Sequence, residues 1–316
     1  MVAAASGEAT AAALALLREV IFIGLPLFLA LAGLGGYWLT KRELRPLEAM
    51  AEQAHRISGS NLDARLETGP AAEELAVLAA SFNELLGRLD QSFETMRRFV
   101  ADASHELRTP LAVIRGEADV ALAQERGAGE YRESLAVILD ESRRLSRLVE
   151  DLLNLARADA GRVTLKVGDC YFNDLLAECC RGMQGRAAAK GVALECRAGA
   201  DVPFTGDEEL LRRLVANLLD NALRYTPAGG RVTAEVAAHD GGVRLRIADT
   251  GVGIAAEAKP HVFERFFRAD QARSRADGGF GLGLAIVKWI AESHHGAVEV
   301  ESEAAKGSTF TVTLPG

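Results

Sequence analysis

Between Val20 and Thr40 the chain carries no charged side chain. A helix of about 21 residues rises about 31 Å, which matches a hydrocarbon core of roughly 30 Å. Arg18 and Glu19 close the run on one side, and Lys41, Arg42 and Arg45 close it on the other. The positive-inside rule puts that basic flank in the cytoplasm and the N-terminus outside. Tyr37 and Trp38 fall where aromatic anchors meet the interface. Pro26 is predicted to kink the span mildly, a bend that neighbouring helices can accommodate. A signal peptide has its basic residues before the apolar run, whereas here they follow it. The segment therefore reads as a transmembrane helix in the lipid of the inner membrane. Only about 18 residues precede it, too few for a folded extracytoplasmic domain.

The 316 residues allow about two domains plus connecting pieces. Lys and Arg number 36 against 44 Asp and Glu, a net charge of −8 that argues against nucleic acid as a partner. It does not exclude a small phosphate-bearing ligand held by backbone amides. Cys170, Cys179, Cys180 and Cys196 lack the paired spacing of a zinc site and read as reduced cytosolic thiols.

After the span, Leu47, Met50, Ala54 and Ile57, then Leu75, Leu78, Phe82, Leu85 and Leu89, recur in steps of three and four. That is the seam of a coiled coil. Ser58-Gly59-Ser60-Asn61 is predicted to end the first helix, and Thr68-Gly69-Pro70 to precede the second. Helix, connector and helix after a span, with Pro46 in the first turn, resembles a HAMP domain. The second helix opens Glu73-Glu74-Leu75 and lacks the glycine usual in that family. A further seam runs Phe93, Met96, Val100, Ala103, Leu107 and Ile114. Two consecutive steps of four, Leu85 to Leu89 to Phe93, form a stutter that locally unwinds a coiled coil.

With Val100 and Leu107 at a and Ala103 at d, His105 falls at f, the outermost heptad position. Thr109, four residues on, shares that face. Pro110 lacks an N–H and crowds the Glu106 carbonyl, so a bend is expected just past the histidine. Gly127-Ala128-Gly129 turns the chain, and Leu135, Ile138, Ser142, Leu145, Val149 and Leu152 carry the returning helix. Two such hairpins would close a four-helix bundle, hence a homodimer. The octet Ser104-His105-Glu106-Leu107-Arg108-Thr109-Pro110-Leu111 resembles the H-box of sensor histidine kinases at every position.

Beyond Gly161 the pattern changes to short alternating runs, predicted as strands at Val163–Val167, Val192–Arg197, Val232–Ala237, Val243–Ala248, Val298–Glu301 and Thr309–Leu314. Helices are predicted near Phe172–Lys190, Glu208–Tyr225 and Leu282–Ser293. This mixed order implies an α/β sandwich. Asn217 and Asn221 lie on one helix face and suit a hydrated Mg²⁺, with Arg224 a turn later able to meet a phosphate. Asp249-Thr250-Gly251-Val252-Gly253-Ile254 can bring backbone and a carboxylate to a flat base. Phe263-Glu264-Arg265-Phe266-Phe267-Arg268 reads as aromatic packing with arginines able to neutralise phosphate. Gly278-Gly279-Phe280-Gly281-Leu282-Gly283-Leu284 runs into a helix N-terminus, an anion site. It matches neither a Walker A loop nor a dinucleotide-binding unit.

In this order the four clusters resemble the N, G1, F and G2 boxes of the histidine-kinase ATP domain, and Gly307-Ser308-Thr309-Phe310 resembles its last glycine motif. Arg224 stands where a lysine is more usual. The resemblance implies ATP and Mg²⁺ as cofactors. Asn217, Asn221, Arg224, Tyr225, Asp249, Gly251, Gly253, Arg268, Gly279, Gly281, Leu282, Gly283 and Thr309 would bind the nucleotide, with Asn217 and Asn221 also on the metal. It implies phosphorylation of His105 with Glu106 orienting the ring, transfer to an aspartate of a response regulator, and a water-holding role for Thr109 in dephosphorylating that regulator. A lid is expected from about Arg268 to Gly279.

The expected architecture is multidomain. It comprises a short extracytoplasmic N-terminus (1–19), a transmembrane helix (20–40), a HAMP linker (41–92), a helical-hairpin dimerisation and phosphotransfer domain (93–160) and an α/β sandwich ATP-binding domain (161–316). The rival readings are an ATP-driven clamp of the fold shared with DNA gyrase and heat-shock chaperones, and a scaffold that has lost catalysis. The exposed histidine favours the kinase over the first. The intact amides, aspartate and glycines favour it over the second.

Overall fold

The computed structural model describes residues 17–18, 20–58, 61–66, 73–159, 164–268 and 279–316. The predicted turn at Thr68-Gly69-Pro70, Val163 and most of the expected lid lie outside them. The chain forms two compact units, Met1–Arg98 and Phe99–Gly316.

In the first unit, a five-residue π-helical stretch, Val20–Gly24, leads into helix α1, Leu25–Arg56. Pro26, expected to kink the span, sits in the first turn of α1, where its missing N–H costs little. The wider π turn lies just before it. Lys41 and Arg42 lie over the rings of Tyr37 and Trp38, at 5.9 and 5.5 Å, so each aromatic anchor is stacked by its basic flank. α1 ends before Ser58, as the polar cluster predicts, and Asn61 holds the break by accepting from the Ser58 N–H at 2.7 Å. Helix α2, Glu73–Ala123, starts at the predicted residue. Met50, Leu66 and Ala79 form a small core with Ala54, Ile57 and Phe82 beside it. Asn83 ties the connector down by accepting from the Leu66 N–H at 2.8 Å and donating to its carbonyl at 3.0 Å. The expected seam residues Leu78, Leu85 and Leu89 are exposed instead, at 52%, 56% and 45%, while Ala79 and Leu86 turn inward.

In the second unit, α2 runs through Pro110 without a break, and helix α3, Ala128–Asp159, follows after a short turn. Strand β1 (Gly168–Tyr171) pairs with β3 (Pro203–Gly206) in a small antiparallel sheet. The predicted strand at Val163–Val167 is not one: residues 164–167 have no regular structure, and pairing begins at Gly168. The main sheet has the order β2-β4-β5-β7-β6, from β2 (Ala193–Arg197), β4 (Arg231–His239), β5 (Gly242–Asp249), β6 (Ala297–Glu303) and β7 (Gly307–Leu314). Only β2 and β4 are parallel.

One face of this sheet is covered by α4 (Phe172–Lys190), α5 (Glu208–Tyr225) and α6 (Gly283–Ser293). α5 starts at Asp207, whose carboxylate accepts from the Leu210 N–H, with Glu208 and Glu209 in the positive first turn. Its apolar stripe, Leu211, Leu214, Val215, Leu218, Leu219 and Ala222, recurs in steps of three and four and is fully enclosed. Valine, leucine and isoleucine alternate inward along β4 and β5 to meet it.

Candidate active site

α5 and α6 lie side by side, and their contact sets the geometry. A side chain at Gly283 would come within 3.3 Å of Asn217 Oδ1, so the glycine lets the α6 N-terminus approach the Asn217 helix. Leu282 precedes α6 with no side-chain cap, which leaves first-turn N–H groups open to an anion. Gly281 has φ +72°, and a Cβ there would strike the Phe266 backbone at 2.8 Å. Phe266 is itself left-handed, φ 59°, and donates its N–H to the Gly281 carbonyl at 2.9 Å.

Asp249 ends β5 as predicted. Its Oδ1 accepts from the N–H groups of Gly251 at 2.8 Å and Ser308 at 3.3 Å. Burial pushes its carboxyl above the usual range, and the two amide bonds pull it partly back. Gly251 is forced by space, since a Cβ would lie 2.4 Å from the Tyr225 carbonyl oxygen. Gly253 at φ +67° likewise lies against Glu303 O.

These elements surround a cavity of about 1470 Å³. Among the sequence-predicted binding residues, Asn217, Asn221, Arg224, Tyr225, Asp249, Gly253, Arg268, Gly279, Gly281, Leu282 and Gly283 line it. Gly251 acts behind the wall, on Asp249. Thr309 does not line it: strand alternation turns its neighbour Ser308 to the cavity instead. Of the two arginines in the Phe263–Arg268 cluster, Arg268 reaches it and Arg265 does not. Arg265 faces away, pairing with Asp159 at 2.7 and 2.5 Å and lying 5.4 Å from the Phe99 ring centre. Phe99 and Phe266 pack with centroids 6.0 Å apart, and Phe263 packs edge-on against Phe310 at 6.4 Å, so the aromatics are structural.

The fit to a polyphosphate is carried by Arg268, whose Nε and Nη2 are buried without a hydrogen-bond partner among the described residues. A buried guanidinium left that way is costly until an anion satisfies it. Asn217 and Asn221 provide neutral amide oxygens. Among the described residues no three His, Cys, Asp or Glu side chains gather to hold a metal. That donor set suits Mg²⁺, which takes its charge from phosphates and keeps several waters.

Sequence reasoning missed two walls of the cavity. α3 contributes Arg144, Asp151 and Asn154. Arg144 stacks 4.9 Å from the ring centre of Phe280 in the glycine loop, and Asp151 pairs with Arg213. Burial raises the Asp151 carboxyl, with Arg213 opposing. α4 contributes Met183, Arg186 and Lys190, at spacing three and four along one face. That spacing was readable, but nothing in it distinguishes a cavity wall from a solvated face.

His105 is exposed, as its heptad position predicts, while Ala103 is buried and Leu107 packs against the core. The Thr109 hydroxyl donates to the His105 carbonyl at 3.4 Å. His105, Glu106 and Thr109 are not part of the cavity wall.

A mixed sheet covered on one face, with a glycine-led helix N-terminus beside an asparagine-bearing helix, defines an ATP-binding fold of the class described as histidine kinase-, DNA gyrase B- and HSP90-like ATPases, whose family matches residues 206–316. Residues 95–161 match the His Kinase A phospho-acceptor domain, and 38–91 the HAMP domain. The chain belongs to the sensor histidine kinases. It is 34% identical over 299 residues to the signal transduction histidine-protein kinase BaeS of Escherichia coli, covering 94% of this chain and 63% of that protein. It is 33% identical to the sensor protein CzcS of Cupriavidus metallidurans, covering 99% of this chain and 65% of that one. The chain thus spans under two thirds of the length of these relatives. Full-length ShkA in complex with AMPPNP superposes with a TM-score of 0.52 at 31% identity, covering 69% of this chain and 45% of that one. The histidine kinase AdeS of Acinetobacter baumannii shares the fold, with a TM-score of 0.55 at 24% identity over 67% of this chain and 97% of that one.

Proposed function

We propose that this chain binds ATP with Mg²⁺ in the cavity and phosphorylates its own His105. The phosphoryl group then passes to an aspartate of a response regulator. The observation that carries this reading is the pairing, within one compact unit, of an exposed histidine in the octet Ser104–Leu111 with a cavity holding Arg268, whose Nε and Nη2 have no hydrogen-bond partner among the described residues. A neutral imidazole nitrogen carries a lone pair and is a nucleophile. One ring nitrogen attacks the terminal phosphorus, the bond to the leaving ADP oxygen breaks, and Glu106 accepts the hydrogen bond of the other ring N–H. Arg224 and Arg268 spread the phosphate charge, and Asn217 and Asn221 would hold the metal, which supplies charge neutralisation between phosphates. Asp249 would accept from the base.

The cavity wall is completed by α3 rather than by His105. Transfer therefore requires the ATPase portion to swing along the hairpin, or the histidine of a second copy to enter. The exposed apolar residues on both hairpin helices support a homodimer. Thr109, exposed beside His105, supports a second activity, dephosphorylation of the regulator, by orienting water. The charge-free run at Val20–Thr40, fully exposed in the fold, supports insertion in the inner membrane with the catalytic part in the cytoplasm.

The test is incubation with γ-labelled ATP. The wild-type chain is expected to take up label that acid removes and base does not. His105→Ala is expected to take up none while binding ATP as before. Acid-stable label, or label on the variant, would refute the assignment.

A further inference from the structure

Two arginines from neighbouring helices meet at one carboxylate, that of Asp220. Arg186 of α4 pairs with Asp220 Oδ1 at 2.6 Å. Arg224 of α5 pairs with Oδ2 of the same carboxylate at 2.9 Å. Lys190, one turn past Arg186, donates to the carbonyls of Leu223 and Arg224 at 2.9 and 2.5 Å. Gly279 of the glycine loop lies so close that a Cβ there would fall 1.6 Å from Arg224 Nη1. Arg186, Lys190, Asp220, Arg224 and Gly279 all line the cavity.

The electrostatics of this cluster poses a problem that Arg186 solves. Asp220 holds the Arg224 guanidinium in place one turn along α5, yet its negative charge cancels the charge that Arg224 would offer a triphosphate. It also repels the phosphates directly. A second guanidinium on its other oxygen restores a net positive group. We infer that Arg186 is a positioning residue for the phosphate-binding arginine. It occupies one oxygen of Asp220, so Arg224 is oriented by the other without being neutralised, and α4 becomes a working wall of the nucleotide site. Lys190 supports the same arrangement by fixing the carbonyl end of α5, where a cation meets the negative pole of the helix. This inference rests on the reading of the cavity as an ATP site and extends it to a helix that none of the four nucleotide clusters includes.

The experiment compares ATP with adenosine, since only ATP carries phosphates, and measures the affinity of the full chain in detergent by calorimetry. Arg186→Ala is expected to weaken ATP binding by about fivefold, the upper range for a partly exposed ion pair. Adenosine affinity should not change. Arg186→Lys should recover most of the loss, because a single ammonium still balances the carboxylate. Adding Asp220→Asn to Arg186→Ala should also restore ATP affinity, because the unbalanced carboxylate is gone. A purely structural role predicts the opposite: equal losses for ATP and adenosine, and a double variant worse than either single one. Either result overturns the inference, as does an Arg186→Ala chain that binds ATP like the wild type. A wild-type chain that binds adenosine no worse than ATP, or binds neither, brings down the ATP-site reading itself and the inference with it.

Discussion

The ATPase portion and the helical hairpin treat their apolar side chains in opposite ways. In the ATPase portion Phe172, Leu211, Leu214, Leu218, Leu219 and Phe310 are at or below 1% exposure, closed inside a single chain. Along the hairpin Leu111 is 58% exposed, Leu135 62% and Leu122 85%. The spacing of leucines is as regular in the hairpin as in α5, so the difference is not one of pattern. A stripe on α5 finds a sheet within its own chain, whereas these hairpin side chains stay open to solvent. Exposed apolar surface of that extent marks an interface, so the proposed homodimer would belong to the folding problem as well as to the signalling one.

The comparison can be broken most directly at the hairpin. Leu111→Glu with Leu135→Glu should weaken self-association by at least about a hundredfold, as expected when two buried anchors are replaced by charges. The melting of the ATPase portion should stay in place. Sedimentation and calorimetry on the same sample check both, and a dimer that survives would remove the hairpin from the interface. The converse change is Leu214→Ala, which opens a cavity under the sheet and should cost about 3 kcal/mol. Denaturant titration should show that loss with the dimer constant unmoved.

A smaller effect sharpens the contrast inside the ATPase portion itself. The Asp249 carboxyl is raised by burial, so its ionised form is disfavoured in the fold. The contribution of this group is therefore most favourable at low pH and is lost as pH rises through the raised value. Asp249→Asn keeps an acceptor for Gly251 and Ser308 and removes the charge. It should raise the melting temperature at pH 8 and have little effect at pH 4, while weakening adenine-nucleotide binding about tenfold through loss of a charged acceptor. A variant less stable at pH 8 would show that the carboxylate is better satisfied than its burial implies.

What the sequence made legible follows from range. α4 and α5 begin and end at the predicted residues: α5 is defined by its apolar stripe and the Asp207 cap, and α4 is ended by the left-handed Gly191. His105 was placed on the outer face by heptad position alone. The strand expected at Val163–Val167 failed because a short alternating run has no energetic meaning without a partner strand, and the available partner, β3, pairs from Gly168 onward. Ser308 was missed in favour of Thr309 because the face of a strand is set by its register with β5, where Ser308 opposes Asp249. Arg144, Arg186 and Lys190 were invisible for the same reason: their role depends on elements dozens of residues away, and a basic helix face reads the same in solvent or against a cavity.

Phe266 and Gly281 are joined backbone to backbone, both in a left-handed conformation that costs a phenylalanine roughly 1–3 kcal/mol. Neither can relax without displacing the other, so the two behave as meshed teeth. Phe266 also rests its ring on Phe99, six residues ahead of His105 on the same helix. A rotation of the helix at Phe99 would therefore reach the loop at Gly281 through this ring contact and through Arg265, which also lies over Phe99.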